Sequence, residues 1–585
     1  MRAAQTPTSA TLVPDFENSK DWDTTKNVFI EGDNLEVLKI LQKHYHGKIK
    51  MIYIDPPYNT GKDFVYSDDF GEGIDRYLNW SRQVNEEGKK LSTNTETDGR
   101  LHSNWLSMMY PRLKLARNLL TEDGVIFVSI DDHEADKLKA LMLEIFGKQN
   151  FLVQLIWNKQ HSQQQGVFKR YHEYVIGFAK DANKISRISG GEGVIDAGAL
   201  KKVSRSNPAS EFTFPEGVRF DAPDGTTLEG TYGDSEQVTV VRGRLQAQNR
   251  KTTEPVTLKA GWTQKDQMKQ WFDTGQAIDT KGQPVLEFYF NSAGKLKCRK
   301  SRTALTPPSL LPKYGMPSAH TDALKSLMGG SYFDNPKPVN LLCDLVKWFT
   351  SDNDLILDFF SGSGSTAHAV MELNAQDSQN RSHIQVQLPE PTHEQSDARH
   401  AGFTDITEIS RERIRRAGKK IEQSSFEQIA ERATPFDTGF RAYKLSDTNF
   451  TKWHLTADAP ANEVEQRLLN VRESSKDSAT QDALLTELLI KQGMSLTERI
   501  SQIEVAGLTC HAVVNADPEA EAEDQYVLVA YVDEHTKPTL EQLRAIVELQ
   551  PARLVILEDA FQGDDQLKTN LKQMCVTNDI ELKTA

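Results

Sequence analysis

The chain contains little cysteine. Its 585 residues include only 4 Cys, and no two of them form a CxxC pair. A small disulfide-built scaffold and a thiolate zinc site both depend on several cysteines at short, regular spacing. The wide spacing of Cys298, Cys343, Cys510 and Cys575 therefore argues against both classes of protein.

Long hydrophobic runs and triphosphate-binding motifs are also missing. No stretch approaches the roughly 18 uncharged apolar residues of a membrane-spanning helix. Residues 1–20 are polar and interrupted by Pro7 and Pro14, unlike a signal peptide. We therefore expect a cytoplasmic protein that does not bind a membrane. The sequence also lacks GxxxxGK(S/T), the loop that holds ATP phosphates, which argues against a motor or restriction subunit.

Negative charge exceeds positive charge overall, but the two are unevenly distributed along the chain. The net formal charge is −14, yet residues 151–330 contain 25 Lys and Arg against 17 Asp and Glu, whereas residues 451–585 contain 12 against 24. A basic middle region suits a polyanion such as nucleic acid, and an acidic end suits protein partners better than DNA. Ordinary surface variation is the competing explanation.

Apolar residues recur in alternating helical and strand patterns. Residues 34–45 have helical spacing, with Asp33 placed to cap the helix, and a short strand follows at 49–54. Further predicted elements are helices at 106–120, 134–146, 341–349 and 366–373, and strands at 125–130, 151–157, 355–360 and 383–388. This alternation is typical of βαβ units. We therefore predict an α/β fold on a doubly wound, mostly parallel sheet.

The chain is long enough for about four domain-sized units. Between residues 186 and 328 the pattern breaks into short strand-like runs such as Val285–Phe290, which indicates an inserted β-rich domain. The polar stretch Gly71–Ser103 is predicted to be a mobile insertion, and another α/β unit begins near residue 440. The predicted division is an N-terminal tail at 1–20, a first core part at 21–185, the inserted domain at 186–328, a second core part at 329–440 and a C-terminal α/β domain at 441–585.

The first candidate motif is Asp55-Pro56-Pro57-Tyr58, directly after a predicted strand. Ligands of parallel α/β sheets bind at the carboxyl ends of strands. Proline cannot donate to a sheet ladder, so a freed carbonyl and the Asp55 carboxylate form two neighbouring acceptors beside an aromatic ring. Such a set can accept both N–H bonds of a planar amino group while the ring stacks on it. The alternative is a purely structural role, in which the two prolines end the strand and the tyrosine packs in the core.

The second candidate motif is the glycine-rich turn that follows the strand 355–360. Residues 358–367 match GxGxx(G/A), with Gly362 and Gly364 placed to let a ligand approach the backbone at a helix N-terminus. Alone, this pattern also fits a tight turn or a dinucleotide dehydrogenase. The acid expected about 20 residues further on is poorly placed for a dehydrogenase, because Glu390 lies 26 residues after Gly364.

Together, the two motifs resemble those of amino-group DNA methyltransferases, as DPPY at Asp55–Tyr58 and FxGxG at Phe360–Gly364. Their order, catalytic motif first and cofactor motif last, is similar to the β-class arrangement. Five longer segments resemble the modification (Mod) subunit of type III restriction–modification systems: Ile52–Phe70, Trp105–Glu134, Phe333–Leu342, Leu355–Val370 and Leu557–Asn570. The resemblance is weakest between 186 and 328, where target recognition is expected.

The resemblance implies a Rossmann-like methyltransferase core that uses S-adenosylmethionine. Within the catalytic motif Asp55, Pro56, Pro57 and Tyr58, the Asp55 carboxylate and the Pro56 carbonyl would accept hydrogen bonds from the target amino group. Tyr58 would stack on a flipped base. The cofactor residues implied are Asn335, Pro336, Lys337, Phe360, Gly362, Gly364 and, as ribose ligand, Glu390. Asp358 either touches the cofactor or caps the turn.

The same resemblance implies N6-methylation of adenine in double-stranded DNA, a homodimer, a separate ATP-dependent restriction (Res) subunit and a C-terminal assembly domain. The alternatives are an N4-cytosine enzyme, an orphan methyltransferase without a restriction partner, a non-catalytic DNA-binding relic and a protein amide methyltransferase. The intact DPPY and FxGxG motifs argue against a relic, and amide methyltransferases usually carry Asn-Pro-Pro-Tyr.

Two further clusters have ordinary explanations. The run Asp131–Glu134 is interpreted as an acidic helix N-terminus, and no metal site is expected. Trp262 and Trp271 either contact DNA or belong to a core. The basic run Lys295–Arg302 is expected to face phosphate more than bases.

Overall fold

The computed structural model describes residues 2–60, 101–160, 167–186, 188, 190, 193–302, 306–450, 479–514 and 526–585. The chain divides into two compact units, one formed by Met1–Ser186 and Ser309–Ala585 and the other by Arg187–Pro308. Most of the predicted insertion Gly71–Ser103 lies outside the described residues. Its last three residues belong to a helix that begins at Leu101.

The strands of the described residues are β1 Ala10–Pro14, β2 Val28–Glu31, β3 Ile49–Ile54, β4 Leu120–Ile130, β5 Phe151–Asn158, β6 His172–Ala179, β7 Gly193–Gly198, β8 Ser210–Phe214, β9 Thr227–Leu228, β10 Thr231–Tyr232, β11 Val238–Arg242, β12 Leu245–Gln248, β13 Lys251–Thr252, β14 Val256–Ala260, β15 Ala277–Ile278, β16 Pro284–Phe290, β17 Leu296–Arg302, β18 Leu310–Leu311, β19 Leu355–Asp358, β20 Ser382–Gln387, β21 Arg441–Asp447, β22 Ile500–Val505, β23 Leu508–Val514, β24 Tyr526–Tyr531, β25 Arg553–Ile556 and β26 Glu581–Thr584.

The helices of the same residues are α1 Arg2–Gln5, α2 Asn34–Tyr45, α3 Leu101–Leu119, α4 Ala135–Phe146, α5 Lys265–Thr274, α6 Pro317–Met328, α7 Val339–Phe349, α8 Ser365–Asp377, α9 Asp397–His400, α10 Ile406–Ser424, α11 Phe426–Ala430, α12 Gln481–Lys491, α13 Leu540–Glu548 and α14 Asp565–Thr577. Short 3-10 turns lie at Lys148–Asn150, Ala182–Lys184 and Glu558–Phe561.

The first unit is built on a ten-stranded sheet with the order β1-β21-β2-β20-β19-β3-β4-β6-β5-β18. The strands from β21 to β4 run parallel, while β1 and β6 pair antiparallel with their neighbours. Both faces are covered. Ile52 and Ile54 of β3 pack in a cluster with residues of α2, and Met51 and Tyr53 pack on the other face with residues of α7. The prediction of an α/β fold with a doubly wound, mostly parallel sheet is confirmed.

Helix and strand bounds differ from the predicted ones mainly at the ends. Helix α3 begins at Leu101, five residues before the predicted start, and runs directly into β4. Residues 121–124 lay outside both predicted elements, but they belong to β4, whose first residue, Leu120, pairs with Ile49 before a register shift. Strand β19 ends at Asp358 rather than at residue 360, because Phe359 and Phe360 already form the turn.

The second unit, Arg187–Pro308, is rich in β-structure, with three small antiparallel sheets and helix α5. Trp262 is buried in its core and donates its indole N–H to the Ser210 carbonyl at 2.8 Å, while Trp271 is partly buried against the same core. The unit ends earlier than the predicted range 186–328, because β18 adds to the main sheet beside β5.

The C-terminal part has its own five-stranded sheet, β22-β23-β24-β25-β26, with a separate hydrophobic core. It nevertheless belongs to the first compact unit. Tyr443 of β21 donates its hydroxyl hydrogen to the Leu496 carbonyl at 2.7 Å, and His44 of α2 hydrogen bonds to the Gly493 carbonyl at 2.6 Å. No helix among the described residues is long and apolar enough to cross a membrane.

Candidate active site

Both sequence motifs lie at one edge of the main sheet. Strands β3 and β19 are parallel neighbours, with Ile356 opposite Met51 and Leu357 opposite Ile52. The Asp55–Tyr58 motif follows β3, and the glycine loop follows β19, so the carboxyl ends of adjacent strands carry the two motifs. This edge is where parallel α/β sheets bind ligands.

Two buried side chains, Trp105 and Glu134, hold the Asp55–Tyr58 loop and the residue after it by hydrogen bonds. Trp105 of α3 is fully buried and donates its indole N–H to the Pro57 carbonyl at 2.7 Å. Asn59 has a left-handed backbone, with φ of 61°, and its amide donates to the buried carboxylate of Glu134 at 2.6 Å. Trp105 therefore occupies the carbonyl of Pro57 rather than that of Pro56. The loop is held in place by contacts that do not use Asp55.

Lys337 reaches this loop from the segment before α7. Its ammonium donates to the Tyr58 hydroxyl at 2.6 Å and to Glu173 Oε2 at 3.1 Å, and it lies 3.3 Å from Asp55 Oδ1. The Tyr58 hydroxyl in turn donates to Glu173 Oε2 at 3.2 Å. Glu173 Oε1 accepts from Lys159 at 2.8 Å. Two carboxylates, two ammoniums and one phenol thus form a single cluster.

The charged groups of this cluster shift one another's pKa values. Burial raises the pKa of the Asp55 carboxyl above its usual value, Lys337 lowers that pKa and Glu173 raises it. Burial also acts to raise the pKa of Glu173, but Lys337 and Lys159 outweigh it and lower that pKa to about 2. Burial acts to lower the pKa of Lys337, yet Asp55 and Glu173 hold it above the usual lysine range. Lys337 is therefore a charged ammonium, and Glu173 is ionised at neutral pH.

Asp358 caps the turn after β19. One carboxylate oxygen accepts from the Phe360 amide at 3.0 Å and the other from the Thr366 hydroxyl at 2.6 Å. Burial raises the pKa of Asp358 to about 7, although both hydrogen bonds lower it. Of the two roles considered from the sequence, turn capping is the one that its contacts display.

The glycines of the loop adopt conformations that other residues avoid. Gly362 has φ of 53° and Gly364 φ of 79°, both in the left-handed region. The Gly362 amide donates to Gln387 Oε1 at 2.7 Å. A Cβ on Gly364 would lie 3.2 Å from Ile414 Cγ1, which is closer than most real contacts. Phe360 is buried beside the loop.

Arg413 supports the glycine loop from α10. It is buried, and its Nη1 donates to the hydroxyls of Ser363 at 2.6 Å and Ser365 at 2.7 Å. Burial lowers the pKa of this guanidinium to about 9. The two serines flank Gly364, so one side chain ties the loop to the first residue of α8.

The remaining predicted cofactor residues lie on neighbouring segments. Asn335 is exposed, with φ of 52°, and Pro336 is buried just before α7. Phe333, near them in the chain, would lie 3.4 Å from a Cβ on Gly362. Glu390 follows β20 and is half-buried, and its backbone carbonyl accepts from the Ile406 amide at 2.9 Å.

A third strand also contributes to this edge. Asp33 follows β2 and caps α2 as predicted, accepting from the amides of Leu35 at 2.9 Å and Glu36 at 3.1 Å. Asn34 donates to the Phe359 carbonyl at 2.7 Å, and the buried Arg112 donates to Asn34 at 2.5 Å. The end of β2 is therefore linked to the glycine loop.

Comparison with known proteins identifies the family. Residues 49–384 match the family model N6_N4_Mtase, described as a DNA methylase. The EcoPI Mod subunit of Escherichia phage P1, a type III restriction-modification enzyme, is 31% identical over 95% of this chain and 85% of its own length. The EcoP15I Mod subunit of Escherichia coli is 28% identical over 98% and 87%, and the StyLTI Mod subunit of Salmonella typhimurium 33% over 74% and 63%. The chain belongs to the Mod family of type III DNA methyltransferases.

Family membership confirms the predicted resemblance and makes the protein a DNA methyltransferase of a restriction–modification system. The family match contains both motifs and all of the unit Arg187–Pro308.

The acidic run Asp131–Glu134 of this Mod protein lies at the N-terminus of α4. Glu134 precedes α4 without capping it and binds Asn59 instead. Across the described ranges, no group of three His, Cys, Asp or Glu side chains is arranged to hold a metal ion.

The basic run Lys295–Arg302 is partly neutralised within its own unit. Arg299 donates to Asp196 at 2.9 Å, and the buried Lys300 donates to Asp279 at 3.3 Å. Contact of this run with DNA phosphate stays a prediction.

Four functional candidates of this Mod protein were missed by sequence reasoning. Trp105, Glu173 and Arg413 each contact a motif from a distant part of the chain, and Glu134 contacts Asn59, directly after the first motif. Trp105 and Glu134 lie inside a segment that resembled Mod subunits, which was the one indication available. Glu173 and Arg413 lie outside the resembling segments.

Proposed function

We propose that the protein transfers a methyl group from S-adenosylmethionine to the N6 amino group of adenine in double-stranded DNA, at a sequence that it recognises. The observation that carries the proposal is the position of Asp55 and Tyr58 at the same sheet edge as the loop Phe360–Gly364. An amino-group acceptor and a cofactor loop on adjacent strands are what transfer between two bound molecules requires.

The acceptors at this edge suit an exocyclic amine. The adenine amine is a weak nucleophile because its lone pair is delocalised into the ring. Asp55 and the Pro56 carbonyl accept its two N–H bonds as the nitrogen becomes pyramidal, which stabilises the transition state more than the ground state. Bound S-adenosylmethionine supplies an electrophilic methyl group. No covalent enzyme intermediate is needed.

The glycine loop fits this cofactor. Among the described residues, a Cβ on Gly362 would meet Phe333 Cζ, at 3.4 Å, and the Phe360 carbonyl oxygen, at 4.0 Å, so space remains for a ligand against the backbone. Helix α8 starts at Gly364 without a side-chain cap, which leaves backbone N–H groups for polar ligand atoms. Phe360, Gly362, Gly364, Asn335 and Pro336 would hold the cofactor, with Lys337 close by, and Glu390 would bind its ribose. Asp358 acts indirectly by capping the turn.

The target base must leave the duplex to reach Asp55. Extrusion of a base costs a few kcal/mol and is repaid by stacking and hydrogen bonds in the receiving pocket. The half-buried Tyr58 offers the stacking surface. Recognition of the surrounding sequence is assigned to the β-rich unit Arg187–Pro308, whose region carries the excess of positive charge.

The wider assembly follows from the same family. We assign the C-terminal part an assembly role in a homodimer that associates with a separate ATP-dependent restriction subunit in the cytoplasm. The acidic composition of residues 451–585 supports a protein partner there. An orphan enzyme without that subunit is the alternative. N4-methylation of cytosine is the second candidate reaction, because the matching family model covers N6 and N4 chemistry by name.

The test is transfer of labelled methyl from S-adenosylmethionine to bacterial DNA by the wild type and Asp55→Ala. Transfer by the wild type and a loss of at least about 100-fold in the variant are expected, because acceptor groups of this kind contribute 10²–10⁴-fold. Asp565→Ala, which changes an exposed aspartate of α14, is the matched control and should keep full activity. Undiminished transfer by Asp55→Ala would remove Asp55 from the reaction.

A further inference from the structure

The Lys337 ammonium contacts Asp55 and Tyr58 of the Asp55–Tyr58 loop, and it also contacts Glu173 of β6. The nitrogen lies 2.6 Å from the Tyr58 hydroxyl, 3.1 Å from Glu173 Oε2 and 3.3 Å from Asp55 Oδ1. It also lies 4.8 Å from the centroid of the Tyr58 ring. Only 10% of the side chain is exposed. A residue that the sequence placed among the cofactor ligands is therefore directed at the side chains that receive the base.

Glu173 fixes the position of that ammonium. It comes from β6, on the far side of β4 from β3, and its second oxygen is occupied by Lys159 at 2.8 Å. Since Lys159 holds one oxygen and Lys337 and Tyr58 share the other, the Glu173 carboxylate has little freedom to rotate. The Lys337 ammonium is consequently anchored from a strand that belongs to neither motif.

Lys337 lies beside one of the two carboxylate oxygens of Asp55, Oδ1. Oδ1 is inaccessible and has no aligned hydrogen-bond donor in the described part of the chain, so its partner is the nearby Lys337 charge. The side chain as a whole is still 29% exposed. The accessible part therefore excludes Oδ1, and Oδ2 is the oxygen that can meet an incoming amino group.

We propose that Lys337 is a positioning residue of the catalytic loop, which Glu173 holds against Asp55 and Tyr58 so that Asp55 presents an ionised Oδ2 to the target amine. This inference rests on the proposed function. In the transfer, the amine lone pair forms the new N–C bond, the S–C bond breaks and its electron pair stays on sulfur. The nitrogen then loses one N–H proton, which the Asp55 carboxylate accepts and passes to solvent.

Several ionisable groups surround Asp55, and they act with different signs. Lys337 favours the ionised carboxylate, while burial and the negative charge of Glu173 oppose it. The Tyr58 hydroxyl also lowers the pKa of Asp55, and Tyr53 on β3 and Asp358 at the end of β19 lie within its electrostatic reach. Of these groups, Lys337 supplies the positive charge.

Opposite changes in pH dependence follow for two variants. In Lys337→Met the positive charge that favours ionised Asp55 is lost and the negative charge of Glu173 remains, so the pKa of Asp55 rises. The acidic limb of the plot of kcat/KM against pH therefore moves to higher pH. In Glu173→Gln the opposing charge is lost, so the limb moves to lower pH. We expect the first shift to be roughly one pH unit or more, the usual effect of an opposite charge at this distance. A residue that only supports folding would scale the rate equally at every pH.

The experiment measures kcat and kcat/KM for DNA methylation by the full chain across the pH range, with S-adenosylmethionine affinity measured separately by calorimetry. Lys337→Met should move the limb upward with cofactor affinity retained within about 3-fold, and Lys337→Arg should restore part of the wild-type profile because it keeps the charge. The matched control is Lys159→Gln. It removes the lysine charge that contacts Glu173, but Lys159 has no described contact with Asp55, so this variant should shift the acidic limb least.

Three results separate the outcomes. An inactive wild type would overturn the proposed function itself. Wild-type activity with unshifted variant profiles, or a 10-fold or larger loss of cofactor affinity in Lys337→Met, would overturn only the role given to Lys337. If Lys337→Met does not fold, as judged by circular dichroism, Glu173→Gln decides the question, because a downward shift supports the proposal and an unchanged limb contradicts it.

Discussion

The side-chain amide of Asn59 donates a hydrogen bond to the buried carboxylate of Glu134 at 2.6 Å. Asn59 directly follows the motif Asp55–Tyr58, and Glu134 directly precedes α4. The pair therefore ties the end of the Asp55–Tyr58 loop to the helix that follows the adjacent strand β4. With Trp105 bound to the Pro57 carbonyl, it fixes the loop at two points.

The first prediction concerns this link. Glu134→Ala should lower the free energy of unfolding by about 1–3 kcal/mol, because the buried Asn59 amide loses its acceptor. It should also lower kcat, because the loop that presents Asp55 is no longer held. Chemical denaturation and methylation assays provide the two measurements. Asp136→Ala, which alters an exposed acid on the first turn of α4, is the control, and equal effects of both variants would count against the link.

The second prediction concerns the glycine loop. Gly364→Ala and Gly563→Ala both place a side chain in the left-handed region, at φ of 79° and 78°. Both should lose roughly 1 kcal/mol or more of stability through backbone strain. Of these two positions, only Gly364 places the added Cβ against a packed neighbour among the described residues, Ile414. Calorimetry should therefore show weaker S-adenosylmethionine binding for Gly364→Ala alone. Similar cofactor affinity in the two variants would argue that the loop does not touch the cofactor.

The third prediction concerns Arg413. Arg413→Met should weaken cofactor binding, because the Ser363 and Ser365 hydroxyls lose the donor that spans Gly364. Arg416→Met is the control on the same helix, since Arg416 pairs with Glu412 on a more exposed face. Binding titrations at several temperatures would separate a loosened loop from global unfolding. A normal dissociation constant for Arg413→Met would show that the loop holds its shape unaided.

The fourth prediction is a pH dependence of stability. Burial raises the pKa of Asp358 to about 7 in the folded protein, above its unfolded value near 3.9. The stabilising contribution of the protonated carboxyl is therefore complete below about pH 4 and is lost as the pH rises through about 7. Asp358→Asn cannot titrate. The unfolding free energy of the wild type minus that of Asp358→Asn should fall across this interval, and a constant difference would contradict the assignment.

Local patterns predicted much of the fold and the positions of both motifs. The apolar run of β3 and the two prolines after it define a buried strand that ends abruptly, and the glycines after β19 define a turn that opens a helix. These features depend on neighbours in the chain. Residues 121–124 lie between the predicted helix 106–120 and the predicted strand 125–130. They belong to β4 as an irregularity between the pairs Ile49–Leu120 and Met51–Val125, which no local pattern indicates.

Contacts between distant residues could not be predicted in this way. Trp105 binds a carbonyl 48 positions away, Arg413 a hydroxyl 50 positions away, and Lys337 a carboxylate 164 positions away. Each contact depends on which strands become neighbours in the sheet, and the sheet order is not encoded in any local pattern. Lys337 illustrates the consequence, because the resemblance placed it with the cofactor, whereas its described polar contacts are with Asp55, Tyr58 and Glu173.

The identity of the methylated nucleoside tests the central claim most directly. Bacterial DNA that lacks prior methylation is incubated with the protein and S-adenosylmethionine, digested to nucleosides and analysed by mass spectrometry. We expect N6-methyladenine, formed by the wild type and absent with Asp55→Ala. N4-methylcytosine as the product, or N6-methyladenine formed equally well by Asp55→Ala, would contradict it.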